Sequence, residues 1–258
     1  MKTEDAIAQQ TDPHLVARST PPEKPGALHG EVWLTVQTSL AQKLIHGRDG
    51  TPEKPTIIGL VGFANRMRVI WQGARTDDPY ADWWLIKVHE AIQVAEKYIR
   101  DRHTNLSTQL NEITAMEVNI AESQKPYRVP LRFANPYAYR GAQLIADLDK
   151  LVCMAMTARH IGMLSTKACE DRVKGCARKI RAIFVIPHNY RLLKIDRDTV
   201  RRAIGRSNEA RQVMGVVPED ILSGERQAPI VPRKINLPSN MSGHVGLHPR
   251  SSDGNHHG

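Results

Sequence analysis

Few residues in this 258-residue chain are typed and spaced for covalent chemistry. His188-Asn189-Tyr190-Arg191 has the His-x-x-Arg spacing of one piece of a tyrosine recombinase site. That reaction also needs a nucleophilic tyrosine further along, and Tyr190 is the last in the chain, so a loop histidine is the plainer reading. There is no P-loop lysine motif, no His-Glu-x-x-His and no Gly-x-Ser-x-Gly. Asp77, Asp78 and Asp82 form a carboxylate cluster, but acids at a helix start cap it and favour its dipole without any catalysis. His89-Glu90 falls inside a long helix and reads as surface or partner-facing. Cys153, Cys169 and Cys176 are odd in number, sit at apolar helical positions and lack the close paired spacing of a metal site. They read as reduced core thiols. His244, His248, His256 and His257 are too loosely placed to preorganise a metal. Gly59-Leu60-Val61-Gly62 has the G-x-x-G spacing of a nucleic-acid backbone clamp, but Leu and Val stand where such a clamp wants polar or basic residues. A closely packed helix start explains it better. The chain is therefore expected to be non-enzymatic, with no metal, no cofactor and no evident small-molecule substrate.

Charge is the chemistry that remains. The formal net charge is +9. Between Arg159 and Arg211 stand fourteen Lys and Arg against five Asp and Glu, a surplus equal to that whole net charge. Lys167, Lys174, Arg178 and Arg181 share one helical face there, and Arg201 and Arg202 follow on a later helix. Lys and Arg neutralise phosphates with little geometric demand and release counterions, so this segment points to nucleic acid. Arg128 and Arg132 alternate onto one face of a strand, as readers on a groove-entering β-ribbon would. The expected DNA-binding residues are these eight.

The elements that must position them can be read from periodicity. Val32, Leu34 and Val36 alternate with polar neighbours in a half-buried strand, and a short helix over 40–46 ends at Gly47. Leu60, Phe63, Met67 and Ile70 have helical spacing. Asp78-Pro79 is a helix start, with proline at the first helical position, where its missing N–H costs nothing. Beyond it apolar residues recur at three- and four-residue steps to Ile113, without Gly or Pro. An unbroken helix of that length spans about 50 Å. It suggests a helical hairpin or a dimer arm, with Asn105, Ser107 and Thr108 as places to break and Val88, Ile92, Ile99 and Leu106 as the self-association stripe. Strands are expected over 116–122 and 126–133, helices over 139–161 and 166–184, and a helix capped by Asp198 carrying Arg201, Arg202 and Arg206. Pro218-Glu219 opens a last turn.

The fold class expected is α+β, mainly helical, with few short antiparallel strands and a long helix or helical hairpin. Residues 1–30 and 227–258 read as a disordered arm and tail around one globular domain over 31–226, with its basic helical segment at 159–211. Apolar residues make up 41% and no apolar run reaches the roughly 18 residues of a membrane span, which argues against insertion in a membrane. Glu4 and Asp5 stand where a signal peptide would be basic and apolar, so a cytoplasmic protein is expected.

Several stretches resemble a known family. They are Leu44-Ile45-His46-Gly47-Arg48, the run Asp77-Asp78-Pro79-Tyr80-Ala81-Asp82-Trp83-Trp84, residues 129–142 from Val129-Pro130-Leu131-Arg132 to Arg140-Gly141-Ala142, Thr157-Ala158-Arg159-His160-Ile161-Gly162, and Pro218-Glu219-Asp220-Ile221-Leu222-Ser223-Gly224. Together they are similar to a family of proteins of integrating conjugative elements and related plasmids, built on a domain of unknown function. The resemblance implies a bacterial cytoplasmic protein serving a mobile element, some relatives regulating transfer genes through a ribbon-helix-helix-like DNA-binding element. The order of strand 126–133, helix 139–161 and helix 166–184 is compatible with that element. The function expected is a non-enzymatic DNA-binding accessory or regulatory protein of such an element, with a protein–protein adaptor in the transfer machinery, making no DNA contact, as the alternative. The partners expected are DNA and a second copy of the chain as homo-oligomer.

Overall fold

The computed structural model describes residues 30–113 and 115–235, and from Val32 onward these belong to one compact unit. The expectations for residues 1–29 and 236–258 lie outside the described residues. Strand β1 (Val32–Val36) buries Leu34 and Val36 and leaves Trp33 and Thr35 outside. Thr38 then caps α1 (Ser39–His46), accepting from the Ala41 N–H, and Gly47 ends it at φ 74°. The short pair β2 (Gly47–Arg48) and β3 (Ile57–Ile58) brings Gly59 against Gly47. A Cβ on Gly59 would collide with the His46–Gly47 backbone, so the G-x-x-G spacing serves close packing at the start of α2 (Leu60–Arg75).

Asp78 caps α3 (Pro79–Asn111), a single 33-residue helix that passes through Asn105, Ser107 and Thr108 without a break. Its apolar stripe does not face outward. Val88, Ile92, Ile99 and Leu106 are all buried in the chain's own core, because α4 (Pro136–His160) and α5 (Thr166–Val185) pack along α3 and α2 joins them. The self-association stripe is corrected accordingly: a three- and four-residue period says which face is apolar and is silent on what covers it.

Residues 116–122 form no strand, the Ala121 N–H going to Thr157 Oγ1 instead. Strand β4 (Tyr127–Leu131) forms as expected and finds its partner within the chain, antiparallel to β1, with Thr35 opposite Arg128 and Trp33 opposite Pro130. Pro130 is tolerated because a two-stranded ribbon leaves each strand an open edge. Asn135-Pro136 opens α4, earlier than the expected 139, and Ser165 caps α5. Buried Asp149 on α4 accepts from the Gln37 N–H at 2.6 Å, the Thr38 N–H at 3.0 Å and the Thr38 hydroxyl at 2.6 Å, tying the root of the ribbon to the bundle.

The last third is shorter-jointed. A 3-10 turn (Ile186–Asn189) leads to α6 (Arg197–Arg201), whose cap is Asp196 and not the expected Asp198. Then α7 (Ser207–Met214) begins after Arg206, and α8 (Glu219–Ser223) stands at the expected last turn. Within residues 227–235, expected in the tail, Ala228 and Pro232 are buried and the Ile235 N–H donates to the Arg75 carbonyl. The fold is mainly helical α+β with two small antiparallel sheets.

Candidate nucleic-acid interface

The basic face begins with the helix that carries it. Cys169, Val173, Cys176, Ile180 and Ile183 are the buried seam of α5, so Lys167, Lys174, Arg178 and Arg181 project to the other side. Lys174, Arg178 and Arg181 line one cleft of about 630 Å³ with Asp171, Ala177 and, from α1, Leu40. Lys174 Nζ holds Glu170 at 2.6 Å, one turn back, which raises the lysine pKa and lowers that of the glutamate. Among the described residues no carboxylate pairs with Lys167, Arg178 or Arg181. A pair exposed on both sides is weak, so Lys174 is still available to an outside anion.

The second group lies on the ribbon. Arg128 is exposed and its guanidinium carbon sits 4.4 Å from the ring centroid of Trp33 on the neighbouring strand. A guanidinium laid over indole keeps its N–H fork in plane and outward, which lowers the entropy lost when it reads an acceptor pair. Trp33, 42% exposed, is a side chain of this face that reading for charge alone passes over. Its only sequence signal is an aromatic on the polar side of an alternating strand. Arg132 follows β4 and is exposed.

The third expected pair stands at the end of α6, exposed. Arg201 donates to the Leu222 carbonyl at 3.1 Å on α8, and Arg202 pairs with Asp198 on its own helix. Other cations of the 159–211 segment are engaged as well. Arg197 is buried and joins Asp82 and Asp77 to the Ile221 and Leu222 carbonyls, Lys179 lies over the Tyr98 ring at 4.6 Å, and Arg206 holds Glu209 at 2.8 Å. The carboxylate cluster is structural too. Asp78 caps α3 and accepts from the Tyr190 hydroxyl at 2.6 Å, so the tyrosine of the His-x-x-Arg run spends its hydroxyl on the fold. His188 has its pKa lowered by burial, with Arg66 and Arg191 adding to the effect.

No group of three or more His, Cys, Asp or Glu among the described residues could hold a metal ion, and the three cysteines are buried free thiols. Burial pushes the Cys153 thiol up to about 11, which makes it unreactive. No helix among the described residues is long and apolar enough to cross a membrane.

Comparison with known proteins adds two findings. The family model described as transcriptional regulator AcaB matches residues 24–234. The crystal structure of selenomethionine-containing AcaB from uropathogenic E. coli is similar, with TM-score 0.52 and 14% identity over 76% of this chain and 95% of that one. At that identity the likeness is one of fold. No curated protein sequence matches the chain.

Proposed function

The chain belongs to the AcaB family of transcriptional regulators, and from that membership we propose that it regulates transcription by binding duplex DNA through the outer face of α5. The observation that carries the reading is the cleft where Arg178 and Arg181 stand beside Lys174 without carboxylate partners of their own. Phosphates are the anions such a face suits: each contact releases condensed counterions, and the grip needs little shape matching. The β1–β4 ribbon, with Arg128 over Trp33, supplies the base-reading side, since a two-stranded ribbon fits the major groove and a guanidinium matches the guanine acceptor pair. The regulator is non-enzymatic and cytoplasmic. Its setting is a mobile genetic element of the integrating conjugative kind, where it acts as an accessory or regulatory protein of transfer.

The test is a salt-titrated anisotropy assay on labelled duplex DNA. Arg178→Glu with Arg181→Glu should weaken binding and shallow the slope of log affinity against log salt by about 2, one for each lost phosphate contact. Arg128→Ala should leave that slope nearly intact and narrow the gap between the selected site and a scrambled duplex. An α5 variant with unchanged affinity and slope rejects the reading.

A further inference from the structure

Two helices bring three cationic or N–H-donating side chains to one cleft and leave all three without a partner. Glu96, Arg100 and His103 follow at steps of four and three on one face of α3, and Gln143, Asp147 and Lys150 follow at the same steps on α4. These six, with buried Ile99, line a single cleft of about 480 Å³. Helical spacing offers each strong cation a carboxylate, Glu96 four residues before Arg100 and Asp147 three before Lys150. The fold diverts both acids. Arg140 Nη2 takes Glu96, at 2.8 Å from Oε1 and 2.9 Å from Oε2, while Nη1 of the same guanidinium meets His89 Nδ1 at 2.9 Å. Asp147 Oδ1 accepts from Gln143 Nε2 at 2.8 Å, and its Oδ2 accepts nothing among the described residues. Among the described residues no hydrogen bond or ion pair engages the side chain of Arg100, His103 or Lys150.

We propose that this cleft binds a phosphorylated sugar, its phosphate among Arg100, His103 and Lys150 and one of its hydroxyls donating to Asp147 Oδ2. Donors that arrive from two helices suit a tetrahedral anion, which turns an oxygen to each. A planar carboxylate is filled by one guanidinium fork and leaves the other donors idle. Asp147 decides what accompanies the phosphate. Its charge repels a bare anion, and its free oxygen favours a ligand that brings a hydroxyl beside the phosphate. Ile99 is the only apolar residue of this lining, so the body of the ligand must be polar too. The volume falls in the range of about 300–1,000 Å³ that holds small molecules. None of these cations is among those assigned to DNA, and the proposal does not rest on that assignment.

Calorimetry on the full-length protein tests it, with glucose 6-phosphate and ribose 5-phosphate as ligands and inorganic phosphate, citrate and glucose beside them. At least one ester should bind at least tenfold more tightly than phosphate or citrate, and glucose should not bind. Arg100→Gln with Lys150→Gln should weaken the ester at least tenfold while circular dichroism stays as in the parent. Asp147→Asn should narrow the gap between ester and inorganic phosphate, because the free anion gains from the lost negative charge. Binding of neither ester, or phosphate or citrate binding as tightly, overturns the proposal. So does an unchanged ester affinity in the double variant, which would place the binding elsewhere. A loss of duplex affinity in that variant as large as the α5 substitutions cause would assign the cleft to the DNA backbone and overturn the proposal as well.

Discussion

Asp78 shows how much one side chain can hold. One carboxylate oxygen accepts from the Tyr80 N–H at 2.8 Å and the Ala81 N–H at 3.4 Å, and the other accepts from the Tyr190 hydroxyl at 2.6 Å. Burial nevertheless pushes its pKa up to about 6, the hydrogen bonds pulling the other way and the charge of Asp82 adding to the rise. Between the ordinary value near 4 and about 6 the folded chain therefore holds more protons at this site than the unfolded one. Stability must fall as pH rises through that window, by up to about 3 kcal/mol from this group. Urea midpoints at pH 4, 5, 6 and 7 check it, and Asp78→Asn should flatten that share of the profile while keeping the cap. Tyr190→Phe should cost about 1–3 kcal/mol, and, by removing a donor, push the Asp78 carboxyl higher still and extend the window upward. Half of this site was legible. Asp78-Pro79 announces a cap, but Tyr190 lies 112 positions away and no local rule pairs the two. Asp82 and Arg197 repeat the lesson, forming a buried ion pair across 115 positions.

Elements were more legible than their partners. The period of α3 located its apolar stripe correctly, and α4 and α5 were near their observed bounds. What periodicity leaves open is the surface opposite. The same stripe suits a dimer seam or a monomer core, and here α4 and α5 take it. The consequence is measurable at Ile92, which is fully buried. Were α3 an adaptor arm, Ile92→Asp would leave a folded monomer that has lost a partner. As a core position it should cost more than about 4 kcal/mol, because an unpaired carboxylate replaces packed aliphatic volume. The variant should therefore lose its cooperative thermal transition before any binding is assayed, and a parent-like melting curve would contradict the placement. Strands carry even less information about partners. Residues 116–122 alternate like a strand but stay unpaired, whereas β4 finds β1 across almost a hundred residues. Asp149 holds the β1–α1 junction on α4, a contact without sequence signature.

At the scale of the whole molecule the question is whether net charge or its address governs association with DNA. The surplus of the 159–211 segment matches the whole net charge of +9, yet the fold spends part of it internally. Arg197 is buried among carboxylates and carbonyls and Lys179 lies on Tyr98. Cations without a carboxylate partner remain on α5 and on the ribbon, and these two faces are the ones assigned to DNA. At about 0.15 M salt the screening length is about 8 Å, so a cation contributes to a bound complex only when a phosphate comes that close. Two variants with the same change of four charge units separate the cases. Arg178→Glu with Arg181→Glu alters the α5 face. Lys97→Glu with Arg100→Glu alters exposed positions on α3, where Arg100 faces the α4 side with Asp147 and Lys150. Address predicts that near 0.15 M salt the α5 variant loses at least tenfold more duplex affinity than the α3 variant, and that only the α5 variant flattens the salt slope. Net charge predicts equal losses, because long-range attraction sums all charges alike and fades for both as salt rises. Equal losses with parallel slopes would therefore remove α5 as the DNA face while leaving the fold and the family membership untouched.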